Sequence, residues 1–146
     1  MDRMSKKIYL AGGMSGLSRE EQSKWRWVTI RRIKESDNCF GYEYNPVFFN
    51  PMIHYNLFDN EHKTEREPFE FDLYNLRDSD VVIVNFNSPQ SIGTAMELAV
   101  AKEYKKPIIG LNESGCELHP WLIECCTRIC DTMDELIKHV INFYLV

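Results

Sequence analysis

The sequence predicts one α/β domain, residues 1–146, built on a doubly wound sheet of about five parallel strands with helices on both faces. Short apolar runs that end in glycine or asparagine alternate along the chain with segments of helical length. Strands that alternate with helices form parallel sheets, since each crossover returns the chain to the same edge. A chain of 146 residues that is 44% hydrophobic also suits one core rather than two.

The chain begins with a strand and a helix. KKIYLA, residues 6–11, is an apolar run that ends at Gly12 and Gly13, as a buried parallel strand would. Ser18 precedes Glu21 by three residues, which is the spacing of a capping box at a helix start. The predicted helix aligns Trp25, Val28, Thr29 and Ile33 on one face.

The second strand is predicted at YEYNPV, residues 42–47, where Pro46 and the nearby Pro51 interrupt regular structure. A long loop from residue 47 to about residue 66 should follow. Loops of that length often serve as lids or binding walls. This one carries four aromatic side chains that fit a core, an oligomer contact or a base-stacking surface equally well: Phe48, Phe49, Tyr55 and Phe58.

The second half of the chain repeats the alternation. In order, it predicts a helix at 69–80, the most apolar strand at 81–86, a helix at 91–104, strands at 107–112 and 127–131, and a closing amphipathic helix at 132–146.

Composition excludes several classes of partner. The net charge is −5 and no block of Lys or Arg occurs, which argues against binding a nucleic acid polymer. The five cysteines are odd in number and lack C-x-x-C spacing, so neither disulfides nor a zinc site is predicted. The apolar run IYLAGGM is too short for a signal sequence or a membrane span. We therefore expect a cytoplasmic protein with no metal, no cofactor and no membrane contact.

The turn LAGGMSG, residues 10–16, lies where ligands bind in open parallel sheets, beyond the carboxyl end of a strand. Its glycines and Ser15 adjoin a helix start and can present N–H groups to a phosphate or a sugar hydroxyl. It matches neither G-x-G-x-x-G nor a P-loop, so nicotinamide chemistry and ATP hydrolysis lose support. A turn that merely reverses the chain remains an equal alternative.

Glu97 is the one charged residue in VVIVNFNSPQSIGTAMELAVA, residues 81–101. Its helical neighbours include no cation with which it could pair. The predicted core face of this helix leaves Glu97 outside and consists of Ile92, Ala95, Met96 and Ala99. Glu97 is therefore either a solvated acid near a helix start or a carboxylate held for chemistry.

Asp72 lies in the predicted helix at 69–80, just before the apolar strand at 81–86 that precedes the helix of Glu97. The sequence places no basic residue at helical spacing from it. Two carboxylates at one crevice are what glycosyl transfer requires, because one attacks the anomeric carbon while the other handles the proton of the leaving group. The alternative for Asp72 is an ordinary acid near a helix N-terminus.

Four stretches of the chain resemble the nucleoside 2-deoxyribosyltransferase family: KKIYLAG, FDLYNLRDSDVVIVNF, SIGTAMELAVAKEYKKPII and HPWL. The most specific part is D-L-x-x-L-x-x-[SA]-D and an apolar strand, followed by G-x-x-x-E-L-x-x-A. The resemblance implies a flavodoxin-like, Rossmann-like fold. It also implies a homodimer or higher homo-oligomer whose neighbouring subunits complete each other's sites, acting on a small nucleoside or nucleotide.

The resemblance implies roles for three residues. Glu97 corresponds to the nucleophile that forms a glycosyl-enzyme intermediate. Asp72 corresponds to the acid that protonates the departing base, and Tyr9 to the tyrosine that orients the glutamate. A carboxylate without a nearby cation would keep its nucleophilicity.

Ser91 distinguishes two branches of the family. Six residues before the nucleophile, transferases that act on free nucleosides tend to have an aspartate, whereas serine is similar to the 2′-deoxynucleoside 5′-monophosphate N-hydrolases. A carboxylate would repel a 5′-phosphate, and a hydroxyl would donate to it. The implied substrate-binding residues are Gly12, Gly13, Ser15, Gly16, Arg19, Ser91 and Gly93.

The sequence thus favours cleavage of the N-glycosidic bond of a nucleoside 5′-monophosphate. The first alternative is base exchange between free deoxynucleosides. The second is a nucleotide-sensing module without turnover.

Overall fold

Five parallel strands form one sheet in the computed structural model, which describes residues 5–14, 16–39, 45–53 and 64–145, except for the side chains of residues 37–39. The strands lie in the order β2-β1-β3-β4-β5. Their bounds are β1 Lys7–Gly12, β2 Val47–Phe49, β3 Val81–Asn85, β4 Ile108–Leu111 and β5 Arg128–Cys130. This is the flavodoxin-like sheet that the sequence predicts. The strand order reverses at β1 and β3, which places a crevice at their carboxyl ends.

Helices cover both faces of the sheet. Their bounds are α1 Arg19–Cys39, α2 Arg66–Arg77, α3 Ile92–Glu103, α4 Pro120–Cys125 and α5 Met133–Val140, and a π-helical segment follows at Ile141–Leu145. One core cluster joins the sheet to α1 and α5, and a second joins it to α2, α3 and α4. No helix in the described part of the chain is long and apolar enough to span a bilayer.

The alternation of side chains along β1 decides which residues reach each face. Ile8 and Leu10 pack in the cluster with α1 and α5, whereas Tyr9 and Ala11 pack in the cluster with α2, α3 and α4. All four are buried because helices cover the strand on both sides. Tyr9 therefore points toward α3, the helix that carries Glu97.

The start of α1 confirms the predicted capping box. The Ser18 N–H donates to Glu21 Oε1 at 2.9 Å, and the Glu21 N–H donates to Ser18 Oγ at 3.1 Å. Beyond this cap, the predicted face meets the core: Trp25, Thr29 and Ile33 are buried and Val28 is half-buried.

The position of β2 corrects the predicted loop. The strand begins at Val47, the last residue of the predicted strand 42–47, of which residues 42–44 lie outside the described part of the chain. It pairs with β1, and the Val47 N–H donates to the carbonyl of Lys6, the residue before β1, at 2.8 Å. Phe49 is buried and stacks on Tyr9, with ring centroids 5.1 Å apart. Apolar burial and parallel pairing thus extend regular structure into the predicted loop. Phe48 packs against the cluster of α1 and α5, while Tyr55 and Phe58 lie outside the described residues.

The predicted core face of α3 is wrong. Ile92 is 77% exposed and Met96 is 47% exposed, and Ala95 and Ala99 are exposed as well. The buried residues of this helix are Thr94, Leu98 and Ala101. Periodicity failed because α3 has apolar residues on two faces, and spacing alone cannot say which face meets the sheet.

Candidate active site

A cavity of about 560 Å³ opens at the carboxyl ends of β1 and β3. Gly12 from the end of β1, Arg26 from α1 and Asp72 from α2 line it. The first turns of α3 contribute Ser91, Gly93, Thr94 and Glu97. The two carboxylates predicted from the sequence therefore face one cavity, although 25 residues separate them in the chain (97 − 72).

Tyr9 and Glu97 are joined by a hydrogen bond in which the phenol hydroxyl donates to Glu97 Oε2. The Tyr9 side chain is fully buried, so its orientation is fixed by the packing around β1. Glu97 is partly buried and lies one to two turns into α3. The tyrosine thus holds one carboxylate oxygen and restricts the rotation of the group.

The environment of Glu97 raises its pKa from 4.5 to about 7. Burial is the largest cause, because it disfavours the charged form. The Tyr9 hydrogen bond lowers the pKa, the charge of Asp72 raises it, and the charge of Arg26 lowers it. The carboxyl group is therefore poised to change its charge near neutral pH, as expected for a group that takes part in chemistry.

Arg26 corrects the expectation that Glu97 has no cation nearby. The helical neighbours of Glu97 do lack one, but the fold brings the guanidinium of α1 into the same cavity wall. The spacing of residues in α1 could have indicated that Arg26 is buried. Arg26 lies three residues before Thr29 and seven before Ile33, and hence on the buried face of the helix. A charged residue on such a face is costly to bury and indicates a specific partner.

Ser91 caps α3 at the cavity. Its hydroxyl oxygen accepts from the Thr94 N–H at 3.2 Å and from Thr94 Oγ1 at 3.0 Å. Ser88 lines the same wall, so three hydroxyl groups and the N-terminus of a 12-residue helix face the cavity. Such a wall can bind an anion or a sugar hydroxyl without a carboxylate to repel it.

The glycines of the first turn allow close approach between elements. A Cβ at Gly12 would lie 2.8 Å from Trp25 Cζ2, and one at Gly13 would lie 2.4 Å from Ser88 Cβ. Gly12 lines the cavity, and Gly13 holds the first turn against the turn that precedes α3.

The remaining predicted binding residues are Gly16, Arg19, Gly93 and Ser15, and only Gly93 is placed at the cavity. Gly16 is exposed and has a positive φ of 80°, and Arg19 is exposed at the first residue of α1. Neither is among the residues that line the cavity. Gly93 does line it, and Ser15 lies outside the described residues.

The described residues form two further cavities. One of about 120 Å³ shares Asp72, Gly93 and Glu97 with the candidate site and extends to Phe69 and Met96 at the surface. Another of about 560 Å³ lies beside α1 and includes Trp25, Asn85 and Asn87. Only the former continues the site that holds both carboxylates. Among the described residues, no cluster of His, Cys, Asp and Glu suits a metal ion.

Comparison with known proteins identifies the fold. No family model matches the sequence, and no curated protein matches it either. A conserved protein from Enterococcus faecalis V583 is similar in structure, with a TM-score of 0.78 and 14% identity over 95% of this chain and 99% of that one.

Two similar structures carry a functional description. A 2-deoxyribosyltransferase from Bacillus psychrosaccharolyticus has a TM-score of 0.70 and 16% identity, covering 90% of each chain. A CMP N-glycosidase from Clostridium botulinum has a TM-score of 0.57 and 18% identity, covering 94% of this chain and 100% of that one. This chain therefore shares its fold with proteins of both descriptions.

Proposed function

We propose that this protein is an enzyme that cleaves the N-glycosidic bond of a nucleoside 5′-monophosphate through a covalent intermediate on Glu97. The observation that carries the proposal is the Tyr9–Glu97 hydrogen bond in a cavity that Asp72 also lines. Support also comes from the shared fold, since similar structures belong to a 2-deoxyribosyltransferase and a CMP N-glycosidase.

In the first step, the ionised carboxylate of Glu97 attacks the anomeric carbon while the bond to the base breaks. The electron pair of that bond passes to the base nitrogen, and Asp72, which enters this step in its protonated form, donates its proton to the departing base and becomes a carboxylate. The product is a glycosyl ester of Glu97. Tyr9 holds the other carboxylate oxygen, so the attacking group keeps one orientation.

In the second step, water attacks the glycosyl ester and gives up a proton to Asp72. This restores both carboxyl groups and completes hydrolysis. A free base that entered in place of water would instead form a new nucleoside. The two outcomes share every residue of the first step, and they differ in the acceptor that reaches the intermediate.

The wall formed by Ser88, Ser91 and Thr94 favours a substrate with a 5′-phosphate over one with a free 5′-hydroxyl. Phosphate oxygens accept hydrogen bonds from hydroxyl groups and from the free N–H groups at the start of α3. Three of the five N–H groups of Arg26 are directed to backbone carbonyls, so we assign the phosphate to the hydroxyl wall.

We also propose that a second copy of the chain covers the apolar face of α2 and α3. Phe69 and Tyr74 on α2 and Ile92 and Met96 on α3 are each more than two-fifths exposed. Exposed apolar groups in such number favour a protein contact over a solvated surface. The small cavity beside Glu97 reaches Phe69 and Met96, so the partner would close the site.

The proposed function is tested with a panel of deoxynucleosides and their 5′-monophosphates, with and without an acceptor base. Chromatography of free base and new nucleosides separates hydrolysis from exchange. Mass spectrometry of rapidly quenched protein should detect a sugar phosphate bound to wild-type enzyme and none bound to Glu97→Gln. Absence of base release from every substrate would overturn the enzymatic proposal and favour a nucleotide sensor, which binding measurements on the same panel would reveal.

A further inference from the structure

Arg26 is fully buried, although arginine is normally kept at the surface. Its Nε donates to the Leu10 carbonyl at 3.3 Å, and its Nη2 donates to the Gly12 carbonyl at 3.3 Å. Nη1 donates to the Gln22 carbonyl. The guanidinium group is therefore fixed in the cavity wall between the end of β1 and the first turns of α1.

Backbone carbonyls satisfy donors but carry no net charge, so they do not by themselves neutralise a buried cation. Asp72 and Glu97, which line the same cavity as Arg26, supply negative charge that stabilises the guanidinium cation. Burial lowers the pKa of Arg26 to about 10, against the opposing effect of Glu97, Tyr9 and Asp72. Arg26 therefore remains charged at neutral pH, and its field acts on both carboxyl groups.

We propose that Arg26 is a positioning residue of this site, which fixes the end of β1 and uses its charge to keep the Glu97 carboxylate ionised. The proposal rests on the proposed function only for its kinetic consequences. Three of the five N–H groups of Arg26 donate to the carbonyls of Leu10, Gly12 and Gln22, so this role does not require a contact between Arg26 and the substrate.

Three described groups from other elements act electrostatically on Glu97: Tyr9 on β1, Arg26 on α1 and Asp72 on α2. Tyr9 and Arg26 favour the ionised form, while Asp72 and burial oppose it. Removing the cation should therefore raise the pKa of Glu97 further above its ordinary value. At neutral pH, less of the carboxyl group would be ionised and less would be available to attack.

The first test uses protein labelled with ¹³C at the glutamate carboxyl carbons, with Glu97→Gln to identify the resonance of Glu97. We expect Arg26→Met to move the titration midpoint of Glu97 upward by about one pH unit. Arg26→Lys, which keeps a cation, should move it less, and the exposed Arg31→Met on the same helix should leave it unchanged. An unchanged midpoint in folded Arg26→Met would overturn the proposal and leave Arg26 a purely structural residue.

A second measurement needs no Arg26 variant and so covers the case in which those variants do not fold. The ¹⁵Nε resonance of Arg26 should move with the same midpoint as Glu97 in wild-type protein, and this movement should vanish in Glu97→Gln. An Arg26 resonance that does not follow Glu97 would contradict the electrostatic coupling. The first measurement observes the Glu97 carboxyl group and the second observes the Arg26 guanidinium group, and neither needs turnover, so both stay decisive even if no nucleoside is cleaved.

If turnover is found, kcat/KM of Arg26→Met should fall roughly tenfold below neutral pH and recover in alkaline buffer. A uniform loss at every pH would indicate damage to the site rather than loss of the charge. A shifted NMR midpoint of Glu97 together with a shifted pH profile would distinguish Arg26 from a residue that only stabilises the end of β1.

Discussion

The phenol of Tyr9 and the carboxylate of Glu97, 88 residues apart in the chain, share one hydrogen bond at the carboxyl edge of the sheet. This bond joins β1 to α3 across the crevice. It also opposes the effect of burial, because a donor to the ionised carboxylate lowers the pKa. The same contact therefore sets both the orientation and the charge of the proposed nucleophile.

Tyr9→Phe should shift the acid limb of kcat/KM to higher pH. The ring and its stacking on Phe49 remain, while the hydrogen bond that lowers the pKa of Glu97 is lost. We expect a loss of roughly tenfold below neutral pH and a smaller loss above it. Phe49→Leu is the control, because it alters the stacking but keeps the hydroxyl. Identical pH profiles for Tyr9→Phe and the wild type would contradict the role of the bond.

Glu97→Gln should abolish turnover and yet stabilise the fold in alkaline buffer. The pKa of Glu97 is about 7 in the folded protein and has its ordinary value of 4.5 in the unfolded chain. The folded protein thus binds this proton more tightly and loses stability as pH rises from 4.5 to 7. Glutamine carries no charge and removes this loss, which is on the order of 1 to 3 kcal/mol.

Urea unfolding at about pH 4 and about pH 8 measures the effect, with m-values compared at both. The two proteins should have similar stability at the lower pH and differ at the higher one. Glu103→Gln, at the exposed end of α3, is the matched control and should show no such difference. A Glu97→Gln variant that is less stable than wild type at both pH values would mean that the pKa of Glu97 is not raised in the folded protein.

The sequence predicted the sheet because apolar runs and caps are local signals. Ser18 with Glu21 and the run of β3 specify their elements without reference to the rest of the chain. It predicted a second strand at 42–47 but did not extend it to Phe49, since the pairing of Val47–Phe49 with β1 is a long-range contact that local sequence does not show. Nor could it orient α3, where Ile92 and Met96 resemble core residues in spacing but remain exposed.

The same distinction applies to the candidate site. Asp72 and Glu97 were selected because the sequence has no basic residue at helical spacing from either of them. Arg26 was missed because its nearness to Glu97 depends on how α1 packs over the end of β1. Charge environments are properties of tertiary structure, so local spacing identified the carboxylates but not the group that adjusts their charge.

Asp72→Asn should slow the release of natural bases far more than the release of an activated leaving group. Asparagine keeps the size of the side chain but cannot deliver the proton that a departing purine or pyrimidine requires. A substrate analogue whose leaving group needs no proton serves as the internal control. We expect at least a hundredfold difference in the two effects, in the range of general acid catalysis. Equal slowing of both substrates would leave Asp72 with a positioning role.

Ala99→Glu should reduce the molecular mass in solution. Ala99 lies one turn beyond Met96 on the exposed apolar face of α3 and does not line the candidate site. A carboxylate there would be buried without a partner at the proposed contact between copies, at a cost of several kcal/mol. Sedimentation velocity measures the mass, and Trp27→Glu on α1 is the control on another surface. A monomeric wild-type protein would contradict the contact.

Ser91→Asp should separate the two possible substrate classes, with Ser91→Asn as the uncharged control. Serine, asparagine and aspartate are all good N-caps, so both variants should keep α3 intact and differ from each other only in charge. A carboxylate within a few ångströms of a 5′-phosphate costs on the order of several kcal/mol even at an effective dielectric of about 20. We therefore expect kcat/KM for monophosphates to fall roughly a hundredfold or more in Ser91→Asp relative to Ser91→Asn.

A free 5′-hydroxyl can donate to the aspartate, so activity on nucleosides should survive or rise. A general loss of folding cannot move the two substrates in opposite directions. Equal losses on both, or a wild-type protein that ignores monophosphates and exchanges bases between free deoxynucleosides, would exclude a phosphate site at the start of α3.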